Sequence, residues 1–130
     1  VHLAVACSLV GAAKVWLQDF SGLSSRVTIY SSSDDYSGAT MTNPTVPKEL
    51  SGVSHGPVAL HSHVIVGTGS VFLPRTTLEE GAAVRALSVV RHNCTAYRIC
   101  FGKPAPRIAE RKRDLLTLAQ HLKAAAAFSQ

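Results

Sequence analysis

The sequence predicts an all-β fold, a parallel β-helix in which short strands wind into a prism, with an excursion loop and a C-terminal α-helix. The first observation is an apolar residue at every sixth position: Leu60, Val66, Phe72, Leu78, Val84 and Val90. The second is a small or β-branched residue four positions after each of these: Val64, Ser70, Thr76, Ala82, Ser88 and Cys94. A six-residue step gives one strand and one turn on each of three flat sides, with both columns pointing inward.

The glycines and prolines of this stretch exclude the common alternatives. Gly67, Gly69 and Pro74 would interrupt an amphipathic helix, and hairpins would need turn pairs such as Asn-Gly, which the chain lacks. The Gly-x-Gly of "HVIVGTGSV" does not indicate a phosphate-binding loop, because no helix follows it and the column passes through it at Val66. The six-residue period therefore decides the fold class.

The same step predicts further coils near the N-terminus, roughly four in all by counting hexads. The large column there is Val5, Gly11, Leu17, Leu23 and Ile29, and the small column is Leu9, Val15, Ser21, Val27 and Ser33. Over residues 34–57 the step fails, and the segment is rich in Pro, Gly, Ser and Asn. It exceeds the ~12 to 15 residues already unusual for a connection. We therefore assign residues 1–102 to a β-helix domain with an excursion loop at 34–57.

Residues 103–130 form a C-terminal extension. Apolar residues at helical spacing predict a helix over about 107–127: Ile108, Leu115, Leu116, Ala119 and Leu122. The first half of this helix is basic, which is typical of a solvated face. Contact of Arg111 and Arg113 with a nucleotide is the alternative.

Composition narrows the class of protein. A chain of 130 residues with 46% hydrophobic residues supports one domain with a real core. No apolar run reaches the roughly 18 to 20 residues of a membrane span, so we expect no membrane insertion. The net charge of +5 comes with few aromatic residues, so we expect an anionic small ligand and no nucleic acid. Because the first residue is Val1 and not Met, we expect the start of the chain to be missing.

The cysteines indicate a cytoplasmic protein. Cys7, Cys94 and Cys100 cannot all pair within the chain, and none lies in a Cys-x-x-Cys motif. We therefore expect reduced thiols, with Cys94 in the core.

Four segments carry a resemblance to a known family. "GPVALHSHVIVGTGSVFLPRTTLEEGAAVRALSVV" and "ICFGKPAPRIAER" resemble the hexapeptide-repeat acyltransferases, which have a left-handed parallel β-helix, and among them the sugar O- and N-acetyltransferases. "LQDFSGLSSRVTIYSSSDDYSG" and "MTNPTVP" are similar to a subgroup linked to lipopolysaccharide or nucleotide-sugar modification. The resemblance implies a homotrimer, acetyl-CoA as co-substrate in a groove between adjacent prisms, and a sugar acceptor bound beside the loop.

The resemblance also implies where acetyl-CoA binds. Thr68 and Ala86 match positions along the pantetheine arm, and the residues flanking them or near the nucleotide end are Gly67, Gly69, Ser88, Arg91, Lys103, Pro104 and Arg107. Arg91 stands with His92 in place of a frequent Thr-Lys and keeps a positive charge. Arg75 and Arg85 depart from the family, which usually has Gly at both positions.

The catalytic base is the open question of the sequence. In the family the base is a His in the excursion loop, and Asn43 stands in the matching context, although an amide cannot act as a base. The candidates for catalysis are His55, Asp35 and Asp34, and those for substrate binding are Asn43, Tyr36 and His63. The structural alternatives are a turn for the two Asp residues, an exposed loop position for His55 and a surface role for His63.

Two further hypotheses remain open at this stage. His55, His61 and His63 would form a metal site only if the loop folds back, so we expect no metal. The alternative function is that of a non-catalytic, trimeric hexapeptide-repeat binding protein that has lost its catalytic His.

Overall fold

The computed structural model describes residues 1–104 and 106–128, which form short strands followed by one long helix. The strands in chain order are β1 (His2–Leu3), β2 (Ser8–Val10), β3 (Val15–Leu17), β4 (Gly22–Leu23), β5 (Thr28–Tyr30), β6 (Ser32–Ser33), β7 (Ser54–His55), β8 (Val58–Leu60), β9 (Ile65–Val66), β10 (Val71–Phe72), β11 (Thr77–Leu78), β12 (Ala83–Val84), β13 (Val89–Val90), β14 (Arg98–Cys100) and β15 (Arg107–Glu110). The helix α1 spans Asp114–Phe128, and a short 3₁₀ helix at Lys48–Leu50 lies within the excursion loop. None of the helices in this part of the chain has the length and apolarity needed to cross a membrane.

The strands wind into a three-sided prism whose successive coils pair in parallel. The first face contains β1, β4, β9, β12 and β14, the second β2, β5, β10 and β13, and the third β3, β8 and β11. The register stacks inward residues directly on one another. On the second face Leu9, Ile29, Phe72 and Val90 are in line. This arrangement is the parallel β-helix that the six-residue step predicts.

The two predicted columns form the interior from Leu60 onward. Every residue of both columns over 60–94 is between 0% and 3% exposed, including the polar members Ser70, Thr76 and Ser88. Their hydroxyl groups are satisfied within the corners. Ser88 Oγ donates to the Arg85 carbonyl at 2.8 Å, and Thr76 Oγ1 donates to the Leu73 carbonyl at 3.0 Å. Small polar side chains are therefore tolerated in the core because each hydroxyl reaches a carbonyl at its own corner.

The predicted register of the first coil is wrong. Val5 is 76% exposed, whereas Leu3 and Leu9 stand in line with Leu23 and Ile29. Leu9 and Leu17 are eight residues apart, two more than the six-residue step. The inward column of the first coil therefore contains Leu3 and Leu9 in place of Val5 and Gly11. Gly11 lies in the corner between Leu9 and Leu17 and not in the core.

The corners repeat as regularly as the strands. His63, Gly69, Arg75, Gly81 and Leu87 follow one another at six-residue intervals, and all have φ between 59° and 72°. This left-handed conformation favours glycine, so Arg75 does replace the preferred residue of a turn. Arg85 does not, because Leu87 is the left-handed residue of its corner.

The C-terminal extension differs from the predicted helix over 107–127. Arg107–Glu110 forms β15, which pairs antiparallel with β14 at the edge of the first face, and the helix begins only at Asp114. The edge strand β14 presents backbone N–H and C=O groups, and β15 pairs with them. Residues 129 and 130 lie outside the described part of the chain.

Arg111 fixes this extension to the prism. Its side chain donates to the carbonyls of His63 at 2.5 Å and of Gly81 at 2.9 Å, which lie one coil apart at the corner between the third and first faces. Arg113 lies 4.6 Å from the ring centroid of Tyr97, as a cation over an aromatic face. Both arginines thus have structural partners in place of the nucleotide contact considered from the sequence.

The cysteine prediction is also corrected. Cys94 and Cys100 are joined by a disulfide, and Cys7 is a free thiol. Cys94 is in the core as expected, and Cys100 reaches it because it points inward from the next strand. A six-residue step therefore brings the two sulfur atoms to the same interior.

The inward column can be tested at Phe72. Phe72→Ala should lower the free energy of unfolding by about 3 to 5 kcal/mol, because it removes buried apolar surface and leaves a cavity. Tyr36→Ala is the matched control, since this aromatic side chain is 91% exposed, and it should change stability by no more than about 0.5 kcal/mol. Urea unfolding at equal protein concentration measures both, and similar small effects would contradict the interior position of Phe72.

Candidate active site

A cleft of about 550 Å³ opens at the corner between the second and third faces, beneath the excursion loop. Its lining comprises Ala12, Asp34, Thr42, Asn43, Pro44, Val46, Lys48, Ser51, Val53 and His55. Three candidates from the two ends and the middle of the excursion loop, Asp34, Asn43 and His55, therefore line the same cleft. The excursion loop supplies most of the wall, and the prism supplies Ala12 from the first coil.

Backbone pairing at the base of the loop positions His55. Strands β6 and β7 are antiparallel, and Ser32 stands directly opposite His55. Ser32 Oγ lies 2.6 Å from His55 Nδ1 and accepts the Ala12 N–H at 2.9 Å. Gly56 follows, buried, and its N–H donates to the Ser31 carbonyl at 2.9 Å. His55 is thus held by a contact of its ring with Ser32 and by the pairing of its backbone with β6.

The two adjacent carboxylates have different environments. Asp35 accepts the Ser37 N–H at 2.9 Å and the Thr40 hydroxyl at 2.8 Å, so both of its oxygens are engaged within the loop. These hydrogen bonds, from Ser37 first and then Thr40, lower the pKa of Asp35. A lowered pKa makes a carboxylate a weaker base, and both hydrogen bonds hold Asp35 within a turn of the loop. Asp34 instead lines the cleft.

The three predicted substrate-binding residues lie in different parts of the structure. Asn43 lines the cleft, and its Oδ1 accepts both the N–H and the hydroxyl of Thr45, at 2.9 and 2.7 Å. Tyr36 projects into solvent and is outside the described lining of the cleft. His63 lies at the corner between the third and first faces, where its ring stacks on Phe20 at 5.1 Å. Only Asn43 shares the cleft with His55.

The residues matched to the pantetheine arm share a different corner, between the first and second faces. Thr68 and Ala86 occupy successive levels there, and the Leu87 N–H donates to the Thr68 carbonyl at 2.9 Å. A Cβ on Gly67 would lie 2.8 Å from the Ala86 Cα, so the two coils approach as closely as glycine allows. Thr68 is exposed at this edge. We call this set, Gly67–Gly69 with Ala86, the thiol-arm corner.

The predicted residues of the nucleotide end lie mostly beyond the thiol-arm corner. Gly102 continues it by one level, since its carbonyl accepts the Val89 N–H at 2.9 Å, and Lys103 and Pro104 follow, both exposed. Pro104 and Arg107 line a cavity of about 170 Å³ together with His92, Asn93, Cys94, Thr95, Cys100 and Pro106.

Two of the predicted cofactor residues lie elsewhere. Ser88 is 1% exposed and points into the prism, because it belongs to the small inward column, so it cannot touch a ligand at the surface. Arg91 follows β13, so it lies on the same edge of the prism as the cleft but on a later coil, and it is not part of the lining of the cleft.

The three histidines considered as metal ligands do not converge. His55 is at the corner between the second and third faces, whereas His61 and His63 follow β8 at the next corner. Within residues 1–104 and 106–128 no cluster of three His, Cys, Asp or Glu side chains is arranged to hold a metal ion.

Sequence reasoning missed Ser32 and Lys48. Ser32 is one of three consecutive serines, and only the cross-strand pairing of β6 with β7 distinguishes it from its neighbours. Lys48 belongs to no motif in the sequence, yet it contributes a positive charge to the cleft. The local sequence signal for the 3₁₀ helix that carries Lys48 is Pro47 directly before it, with Glu49 in its first turn.

Known proteins give this geometry a context. No protein-family model matches the sequence. The chain is 48% identical over 118 residues to dTDP-4-amino-4,6-dideoxy-D-glucose acyltransferase of Escherichia coli, and the match covers 91% of this chain and 62% of that protein. The chain therefore spans somewhat less than two thirds of the length of this relative.

Solved structures agree with that match. AntD, an N-acyltransferase from Bacillus cereus in complex with dTDP and 3-hydroxybutyryl-CoA, superposes with a TM-score of 0.92 at 33% identity, covering 97% of this chain and 68% of AntD. A maltose O-acetyltransferase from Clostridium difficile 630, at 17% identity and a TM-score of 0.66, covers 85% of this chain and 59% of its own length and supports the fold alone. The chain belongs to the hexapeptide-repeat sugar acyltransferases, which have the left-handed parallel β-helix predicted from its sequence.

Proposed function

We propose that this protein transfers an acyl group from acyl-CoA to the amine of a nucleotide-linked amino sugar of the dTDP-4-amino-4,6-dideoxyglucose class. The observation that carries the proposal is the cleft that joins His55, Asp34 and Asn43 on this scaffold. The name of the Escherichia coli relative gives the acceptor class, and AntD binds dTDP together with an acyl-CoA. Acetyl-CoA, expected from the sequence, is the simplest donor of this class.

The chemistry requires a proton acceptor beside the sugar amine. Transfer forms a C–N bond and breaks the C–S bond of the thioester, so the amine loses a proton and the departing thiolate gains one. The His55 imidazole is suited to receive the first proton and return the second. Asp34 supplies a carboxylate to bind the amine or sugar hydroxyls, and Asn43 supplies amide N–H donors.

The thiol-arm corner and the cleft lie at opposite edges of the second face, so one subunit does not bring them together. We propose a homotrimer in which the thiol-arm corner of one subunit faces the cleft of its neighbour. Exposed apolar side chains on the prism support such contacts: Trp16 on the third face is 49% exposed and Ile65 on the first face is 47% exposed.

For the place of action we propose the cytoplasm, where acyl-CoA is made and used. The Cys94–Cys100 disulfide is the feature that runs against this location, because reducing compartments disfavour disulfides. A thiol count on protein purified under non-reducing conditions from the cytoplasm decides the redox state there.

Removal of the proposed base tests the reaction. His55→Ala should lower kcat for acyl transfer to a dTDP-amino sugar by about 10²- to 10⁴-fold, because a positioned proton acceptor contributes that much. His121→Ala, an exposed position on α1, is the matched control and should leave kcat unchanged. Release of CoA, followed with a thiol reagent, measures both. Equal rates in the two variants would exclude His55 as the base.

The nucleotide end of the cofactor can be tested at Lys103. Lys103→Ala should weaken CoA binding by roughly two- to fivefold, the effect of losing one exposed ion pair with a phosphate. Lys112→Ala, also exposed but beyond β15, is the control. Isothermal titration gives the dissociation constants. A Lys103→Ala variant that binds CoA as tightly as the unaltered protein would place the phosphates elsewhere.

A mixing experiment tests whether neighbouring subunits share a site. His55→Ala removes the base and Thr68→Trp fills the thiol-arm corner, so each variant alone should be inactive. If each site takes one part from each subunit, an equal mixture that is unfolded and refolded together should regain about a quarter of the activity. Sedimentation should give three times the chain mass of 13.8 kDa. A mixture as inactive as its components would contradict a shared site.

A further inference from the structure

We propose that Ser32 is a positioning residue that selects the reactive form of His55. This inference rests on the proposed function for its catalytic meaning, but its structural content stands on the hydrogen bonds around Ser32. The hydroxyl lies at the centre of a short chain of contacts from the Ala12 N–H, through Ser32 Oγ, to His55 Nδ1. The chain ends in the cleft, which the His55 ring lines.

The backbone makes this chain of contacts rigid. Ser32 and His55 are cross-strand partners of β6 and β7, so their side chains are held opposite one another. Gly11 has φ of 128°, and a Cβ there would lie 2.7 Å from the Ser32 N, so only glycine lets the first coil come this close. That approach brings the Ala12 N–H within 2.9 Å of Ser32 Oγ.

The hydrogen bonds of Ser32 leave two arrangements for the imidazole. The Ala12 N–H can only donate, so it occupies one lone pair of Ser32 Oγ. Towards His55 the hydroxyl has two choices. It donates its hydrogen to Nδ1, which leaves Nε2 protonated, or it accepts a hydrogen from Nδ1, which leaves the Nε2 lone pair free.

Only the second choice suits a base. With Nδ1–H donating to Ser32, Nε2 accepts a proton from the sugar amine, and the resulting imidazolium keeps the same bond to Ser32 without any rearrangement. In the first choice the hydroxyl hydrogen would have to rotate away when the ring becomes charged. Catalysis by His55 therefore requires Ser32 to act as an acceptor that holds the Nδ1–H tautomer, as partners of histidine rings do at other sites.

The tautomer is directly measurable on the full chain. Long-range ¹H–¹⁵N spectra at alkaline pH identify the protonated nitrogen of each neutral histidine, and His55→Ala assigns the His55 signals. We expect Nδ1–H for His55 in the unaltered protein and in Ser32→Thr, which keeps the hydroxyl. In Ser32→Ala we expect the Nε2–H form that predominates in free histidine. Ser33→Ala, its neighbour on β6, is the matched control and should leave the Nδ1–H form in place.

Kinetics test the catalytic consequence. Ser32→Ala should lower kcat by about 10- to 100-fold with little change in KM for acyl-CoA, since orienting partners have effects of this size. Ser32→Thr should restore kcat, and Ser33→Ala should not lower it. In a His55→Ala background, Ser32→Ala should cause no further loss, because its effect acts through the imidazole.

The outcomes separate this inference from the proposed function. An Nε2–H tautomer in the unaltered protein, or a tautomer unchanged in Ser32→Ala, overturns the role of Ser32 whatever the enzyme's activity. A normal kcat in Ser32→Ala, beside a low one in His55→Ala, also overturns it and leaves His55 as the base. Absence of acyl transfer by the unaltered protein overturns the proposed function, while the spectra still decide the tautomer.

Discussion

The stacking of inward side chains in register is the constraint on which the rest of the molecule depends. Each strand of a face pairs in parallel with the strand one coil away, so Phe72 lies between Ile29 and Val90 and cannot shift without moving both. Because interiors pack at crystal-like density, the corners between faces are stacked as strictly as the strands. Departures from the repeat are consequently confined to the corners, where the excursion loop is inserted.

This protein uses two of its corners differently. The thiol-arm corner is built from close backbone approach, since Gly67 has no room for a Cβ beside Ala86. The corner of the cleft carries the excursion loop, and there Gly56 is equally crowded by Arg75. In both places a glycine brings two levels together and leaves neighbouring polar groups at the surface. The same packing that stabilises the prism therefore sets the positions of the groups proposed to bind the two substrates.

The sequence predicts the interior correctly where inward residues are six positions apart, and it fails where the number of residues between them changes. Both columns after Leu60 are confirmed, because side chains on one axis must repeat in size. The two extra residues of the Gly11 corner shift the first coil, and apolar spacing alone does not reveal them. The site is less predictable. His55, Asp34 and Asn43 were recognised by chemical type, but the partnership of Ser32 with His55 exists only through strand pairing.

The position of His55 bears on how a member of this family can dispense with a loop histidine. Asn43 occupies the context in which the resemblance expects the base, and its Oδ1 is engaged by Thr45 in a turn of the loop. His55 approaches the same cleft from β7, at the opposite end of the excursion. A side chain on a paired strand is held more exactly than one on a loop, because its backbone is fixed by the partner strand. With the base proposed at His55 on this strand, the sequence of the excursion loop is free to adapt to the acceptor while the proposed proton acceptor stays in place.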